Sequence, residues 1–193
     1  QFQLDRLPFC HQHWAVDNLQ NMDMVFPPPR RHQRLPYVDK SSLEGTNLRQ
    51  ERAVRFITSY SSSNVTYQQG AGPVIIYGPF GTGKTYTLAK AVMQLLAESP
   101  QSRILICTRS NSAADWYISE YLHKFVQRTW GDHRDGILML RVYSTHRKWS
   151  SIPEVVRPYV SKDLDGNIQV HGAEAIRQYH LVITTFSSAH LLK

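Results

Sequence analysis

The sequence predicts an α/β domain with a mostly parallel sheet flanked by helices, and three observations carry that reading. Short apolar runs alternate along the chain with longer stretches whose apolar residues recur at helical spacing. The runs are continuous rather than alternating, as expected of strands buried on both faces. One of them, Val74-Ile75-Ile76-Tyr77, leads directly into Gly78-Pro79-Phe80-Gly81-Thr82-Gly83-Lys84-Thr85, which fits the pattern G-x-x-x-x-G-K-[ST] and opens a helix.

Residues 1–26 mix apolar and polar types without a clean period. Pro27-Pro28-Pro29-Arg30-Arg31, with Arg34 and Pro36, locks an extended path and reads as a linker. Residues 1–45 are therefore expected to be the end of an upstream region, and 46–193 the domain proper. The first residue is Gln1, so the chain reads as a segment of something longer. A helix is predicted over 47–57, with Leu48, Ala53, Val54 and Ile57 as its apolar stripe, and a loop over Ser59–Gly72. The strand at 74–77 follows, then a helix over 84–98 carrying Leu88, Val92, Leu95 and Leu96 and stopped by Pro100. Ile104–Cys107 is the next strand. A helix over 113–127 carries Ile118, Leu122, Phe125 and Val126, with a capping-box-like start at Ser112 and Asp115. Ile137–Tyr143 is a third strand candidate. Residues 151–178 are less periodic: Ser151-Ile152-Pro153-Glu154 resembles a helix start and Asp165-Gly166-Asn167 a turn. Leu181–Thr184 is the last buried strand. Strands alternating with helices in this order require parallel crossovers.

The 193 residues include 41% hydrophobic and 19% charged types, ordinary values for a globular chain. No apolar run approaches the ~18 residues that span a bilayer. The formal net charge of +7 suits a polyanionic partner such as nucleic acid, although a merely basic soluble protein has the same balance. Cys10 and Cys107 lie far apart, which suits a reducing compartment, and the Asn64-Val65-Thr66 sequon lacks a secretory context.

A triphosphate is a dense cluster of negative charge and must be wrapped by donors at close range. Glycines let the backbone turn inward and aim successive N–H groups at it. Gly81 and Gly83 leave no side chain in the way, and the helix starting near Lys84 adds the positive end of its dipole. Lys84 is expected on the β and γ phosphates and Thr85 on Mg²⁺. The nucleotide site is thus assigned to Gly78, Pro79, Gly81, Thr82, Gly83, Lys84, Thr85 and Tyr86, with Lys84 and Thr85 as its catalytic pair. Upstream, Gln50 can donate and accept at once, which suits an adenine edge, although a Gln on a helix is more often simply solvated. Thr108-Arg109-Ser110-Asn111-Ser112 and Thr184-Thr185-Phe186-Ser187-Ser188 put hydroxyls and an amide at strand ends, either as polyanion contacts or as plain helix caps, Ser112 among them.

Together these stretches resemble superfamily 1 helicases of the group that includes the nonsense-mediated-decay RNA helicase. Ile76–Thr85, Ser110–Asp115 and Gln1–Pro8 look most like its helicase-with-zinc-finger subgroup. The resemblance implies the first RecA-like motor domain of an ATP-dependent translocase on single-stranded nucleic acid, RNA in most of the group, in the cytoplasm and also the nucleus. By it, Gln50 matches the adenine-reading glutamine, and Gly83, Lys84 and Thr85 match the phosphate and Mg²⁺ residues. Ser110 and Asn111 match the first nucleic-acid contact motif, and Thr185 a later one. Phe80 departs from the family, where most relatives carry a second proline. The family's acidic Asp-Glu motif is expected beyond the last strand, so residues 1–193 are expected to bind ATP weakly and not to turn it over. Another P-loop ATPase, or a nucleotide-binding module without catalysis, is the alternative.

Two metal-like patterns are set aside. Cys10, His11 and His13 lack a fourth ligand at finger spacing. Asp163–Glu174 mimics a calcium loop but carries Ile168 where the sharp turn needs Gly.

Overall fold

The apolar runs at 104, 139 and 181 meet in one parallel sheet. The computed structural model describes residues 6–26, 43–62, 73–130, 138–169 and 171–192. The linker prolines and arginines between Pro27 and Pro36, the Asn64 sequon and Gln1–Asp5 lie outside them. The chain divides into two compact units, Gln1–Ala91 and Val92–Lys193.

In the second unit the strands are β1 (Ile104–Thr108), β2 (Met139–Arg141) and β3 (Leu181–Thr185). Their order is β1-β3-β2, all parallel, with Thr108 paired to Thr185 and Arg141 to Ile183. Every residue of β3 is buried, as a central strand covered on both faces must be. Leu140, Val142 and Val182 form one cluster of the core, packed by half-buried Ile176, Tyr179 and Leu192. The third strand candidate shortens to three residues, followed by one more ladder bond from Val142 N–H to Ile183 O at 2.9 Å.

Successive parallel strands of one sheet need a long crossover. The predicted helix at 113–127 fills that between β1 and β2, as α4 (Asn111–Trp116), a π-helical stretch (Tyr117–Leu122) and α5 (His123–Trp130). Ala114, Ile118, Leu122 and Val126 are all buried, at a strict spacing of four. Residues four apart drift by about 40° per step around an α-helix, and the wider π turn offsets that drift. The cap differs from expectation. Ser110, not Ser112, is the N-cap, and its Oγ accepts from Ala113 N–H at 3.2 Å. Ser112 is exposed inside the helix and Asp115 is buried. A short α6 (Ala173–Ile176) precedes β3. The helix expected to start at 151–154 does not form: a 3-10 turn, Trp149–Ser151, ends there and only a second one, Arg157–Tyr159, follows. The Asp163 loop is an Asp-Gly turn: Asp163 Oδ1 accepts from Asp165 N–H and Asn167 N–H, and Gly166 has φ +81°.

In the first unit, α1 (Leu7–Asp17) is a helix in a stretch where no period pointed to one. It carries no apolar stripe, so periodicity could not reveal it. α2 (Leu48–Ser62) runs five residues beyond its expected end at 57 and buries Val54. α3 (Lys84–Glu98), of which this unit holds Lys84–Ala91, starts and ends as predicted, although its buried positions include Ala89 and Ala91 while Leu88 is exposed.

The predicted strand at Val74–Tyr77 does not form. Residues 73–79 carry no ladder, and Ile75 and Tyr77 are 85% and 96% exposed. An apolar run supplies only the propensity; a strand exists through the neighbour that pairs with it, and none of the described strands does. No described helix is long and apolar enough to cross a membrane.

Ile183→Ala should therefore lower unfolding free energy by about 2–5 kcal/mol, and Ile75→Ala by under about 0.5 kcal/mol, both read from urea titrations.

Candidate functional site

Gly81 and Gly83 both sit at φ +77°, where L side chains are strained. At Gly83 the space is closed as well: a Cβ there would lie 2.7 Å from Gln50 Nε2. At Gly78 a Cβ would lie 2.9 Å from Thr82 Oγ1. The loop is thus built for bare backbone. Its carbonyls are held from within: Lys84 Nζ donates to Gly78 O at 2.8 Å and Pro79 O at 2.6 Å, and Thr82 Oγ1 donates to Pro79 O at 2.8 Å. Thr87 Oγ1 ties Gly83 O to α3 at 2.9 Å. The first-turn amides of α3 have no intrahelical acceptor. The loop therefore gathers N–H donors and an ammonium group around carbonyls that are already bonded, which fits a bound triphosphate. Thr85 is exposed in the first turn of α3, where its hydroxyl could take a divalent ion. Tyr86 is half-buried, with its hydroxyl against Gly45 and Lys90 Nζ 5.5 Å from its ring centre. Phe80 is fully exposed, 5.7 Å from Lys84 Nζ, and touches none of the loop's hydrogen bonds.

Gln50 is neither free nor merely solvated. Asn47 Oδ1 accepts from Arg49 and Gln50 N–H, and Gln50 Oε1 accepts from Asn47 N–H, each at 3.0 Å. This is a reciprocal capping box at the start of α2. The other end of the amide, Nε2, donates to Thr82 O at 3.2 Å. Gln50 therefore joins α2 to the glycine loop.

In the second unit, parallel pairing brings the two hydroxyl-bearing strand ends side by side. Thr108 pairs with Thr185, and Phe186 N–H donates to Thr108 O at 2.9 Å. Thr108 Oγ1 donates to Ser110 O at 2.8 Å. Ser110 is exposed and Asn111 half-buried. Thr185 is only 5% exposed, and its hydroxyl is 3.2 Å from Ser188 Oγ within the following turn. The accessible residues at that end are Phe186 and Ser187.

Behind Asn111 lies a network that the motifs did not reveal. Arg141 is 1% exposed, and its Nε donates to Asp115 Oδ1 at 2.9 Å. Its NH2 group donates to Asn111 Oδ1 at 2.8 Å, and its NH1 group donates to Val142 O. Tyr143 Oη donates to the same Asp115 oxygen at 2.6 Å, and the guanidinium carbon sits 3.7 Å from the Tyr143 ring centre. Burial first, then the bond to Asp115, pushes the Tyr143 phenol well above its ordinary range, so it remains a donor. The available signal was an Arg in the otherwise apolar run 137–143, since a buried charge must be paired. Among the described residues no group of three His, Cys, Asp or Glu side chains could hold a metal ion.

An AAA domain family model matches residues 45–178. Over its whole length the chain is 35% identical to a Danio rerio protein named "Probable helicase with zinc finger domain", covering 10% of that protein. It is 37% identical, again over its whole length, to the Homo sapiens "3'-5' exoribonuclease HELZ2", covering 6% of it. Over 62% of the chain it is 35% identical to the Mus musculus "RNA helicase Mov10l1", covering 9% of that protein. The chain thus spans a tenth or less of each of these curated relatives. No solved structure matches it. A small open parallel sheet flanked by helices, with this family match, fits the RecA-like P-loop fold.

Asp115→Asn leaves the buried guanidinium without its counter-charge and should cost about 3–5 kcal/mol in a denaturant titration. Gly83→Ala should cost at least about 1 kcal/mol from its positive φ alone, and more as the Gln50 amide is displaced.

Proposed function

The chain belongs to the AAA domain family and is similar over its whole length to proteins named as helicases, and on that premise we propose that it is the nucleotide-binding part of an ATP-driven motor acting on single-stranded RNA. The observation that carries this reading is the glycine loop with Lys84 Nζ folded onto Gly78 O and Pro79 O. A phosphate oxygen bears far more negative charge than a peptide carbonyl, so it is the stronger acceptor for the same ammonium. Lys84 and the amides of Gly81, Thr82 and Gly83 would hold the β and γ phosphates, and the Thr85 hydroxyl would hold Mg²⁺. Bound Mg-ATP supplies the phosphoanhydride whose cleavage drives the motor. Gln50, already between α2 and the loop, is the proposed adenine reader. It would exchange its bond to Thr82 O for one to the base.

Ser110 and Asn111 are the proposed first contact with the polynucleotide. At the neighbouring strand end Thr185 shapes the turn, and exposed Phe186 and Ser187 offer a ring to stack on a base and a hydroxyl for a phosphate. The net charge of +7 and the name of the relative Mov10l1 support RNA as the partner. Both described cysteines are free, which supports the reducing cytoplasm or nucleus as the compartment. No Asp-Glu pair occurs in the 193 residues, so we propose that this stretch holds nucleotide without turning it over.

Full-length parent protein should release phosphate from ATP faster when oligouridylate is added, and faster with it than with oligodeoxythymidylate. Thr85→Ala should lower that rate by about 100-fold or more. A rate indifferent to every polynucleotide would refute the motor reading. Its affinity for oligouridylate should fall steeply with salt, by roughly 0.7 in log K per log salt for each phosphate contact.

A further inference from the structure

Asn111 can present either an oxygen or an NH2 group to a ligand, and its surroundings decide which. A guanidinium only donates, so the atom facing Arg141 must be the Asn111 oxygen. The NH2 group is left on the side away from Arg141, with no protein acceptor among the described residues. Arg141 itself has no freedom to let go. Each of its three nitrogens has its own acceptor: Asp115 Oδ1, Val142 O and Asn111 Oδ1. The Tyr143 ring lies against its face, and the Tyr143 hydroxyl shares the Asp115 oxygen.

We propose that Arg141, clamped by Asp115 and Tyr143, is a positioning residue that locks the Asn111 amide as a pure donor toward a sugar or phosphate oxygen of the bound strand. The inference rests on the reading of Ser110-Asn111 as a nucleic-acid contact. The geometry gives the locked amide a use: its two N–H groups match an acceptor-only ligand such as a phosphodiester, and a flipped amide would aim its oxygen at that anion instead. A purely structural ion pair would need only Asp115. The third acceptor, on the one half-buried residue of the set, points to the contact motif.

The test is a double-mutant cycle on the full-length protein, read as the dissociation constant of fluorescein-labelled oligouridylate by anisotropy. Asn111→Ala should weaken binding by about tenfold. Arg141→Lys keeps the charge but replaces a three-pronged fork by a single ammonium group, and should weaken binding several-fold. The pair together should bind no more weakly than Asn111→Ala alone, because Arg141 acts through the amide that is already gone. If Arg141→Lys fails to fold, Tyr143→Phe removes one hydroxyl from the clamp and must show the same lack of additivity. Losses that multiply, or unaltered affinity in the clamp variants while Asn111→Ala is weakened, would overturn the positioning role alone. Unaltered affinity in Asn111→Ala would overturn the contact motif, and the inference with it.

Discussion

The parallel register of β3 between β1 and β2 is the constraint on which the second unit depends. A strand buried on both faces can offer chemistry only at its ends. The register sets Thr108 beside Thr185, so both ends open at one level. Ser110 caps α4 directly beyond β1 and a tight turn closes directly beyond β3, so hydroxyls and one amide collect in a single row. The same register carries Arg141 into the interior beside Ile183, where a guanidinium is tolerable only with a carboxylate waiting for it. Asp115, one helical turn beyond Asn111, is that carboxylate. The core of this unit and the posture of the half-buried Asn111 amide are therefore one arrangement.

In the first unit the governing constraint is the absence of side chains. Gly78 and Gly83 occupy positions where a single methyl would strike Thr82 or Gln50. The carbonyls of Gly78, Pro79, Thr82 and Gly83 are bonded to Lys84, Thr82, Thr87 and Gln50. The capping box of Asn47 and Gln50 serves twice, ending α2 and bracing Thr82.

The elements most legible in the sequence were those whose signals are local. α3 begins at Lys84 and ends at Glu98 because a glycine loop and Pro100 bracket it. β1 and β3 follow from continuous apolar runs. The Val74–Tyr77 run has the same composition, yet no described strand pairs with it, and composition does not name a partner. α1 escaped because its apolar residues follow no stripe. The cap moved from Ser112 to Ser110 because both serines fit the local pattern, and only the extended backbone of Ser110 (φ −134°) suits the role. In the glycine loop, the positive φ of Gly81 and Gly83 follows from the residue type alone. The Arg141–Asp115–Tyr143 clamp was not legible, because its members lie 26 and 28 residues apart and nothing short of the fold brings them together.

The proposed motor requires that the glycine loop and Lys84 hold a nucleotide's phosphates. The direct measurement is calorimetric titration of Mg-ATP into the folded full-length protein and into its Lys84→Gln variant. The account predicts saturable one-to-one binding by the first and a loss of at least about tenfold in affinity by the second, as befits a charged hydrogen-bonding group removed from an anion. Absence of heat from the unaltered protein, or equal affinity in both, would contradict it.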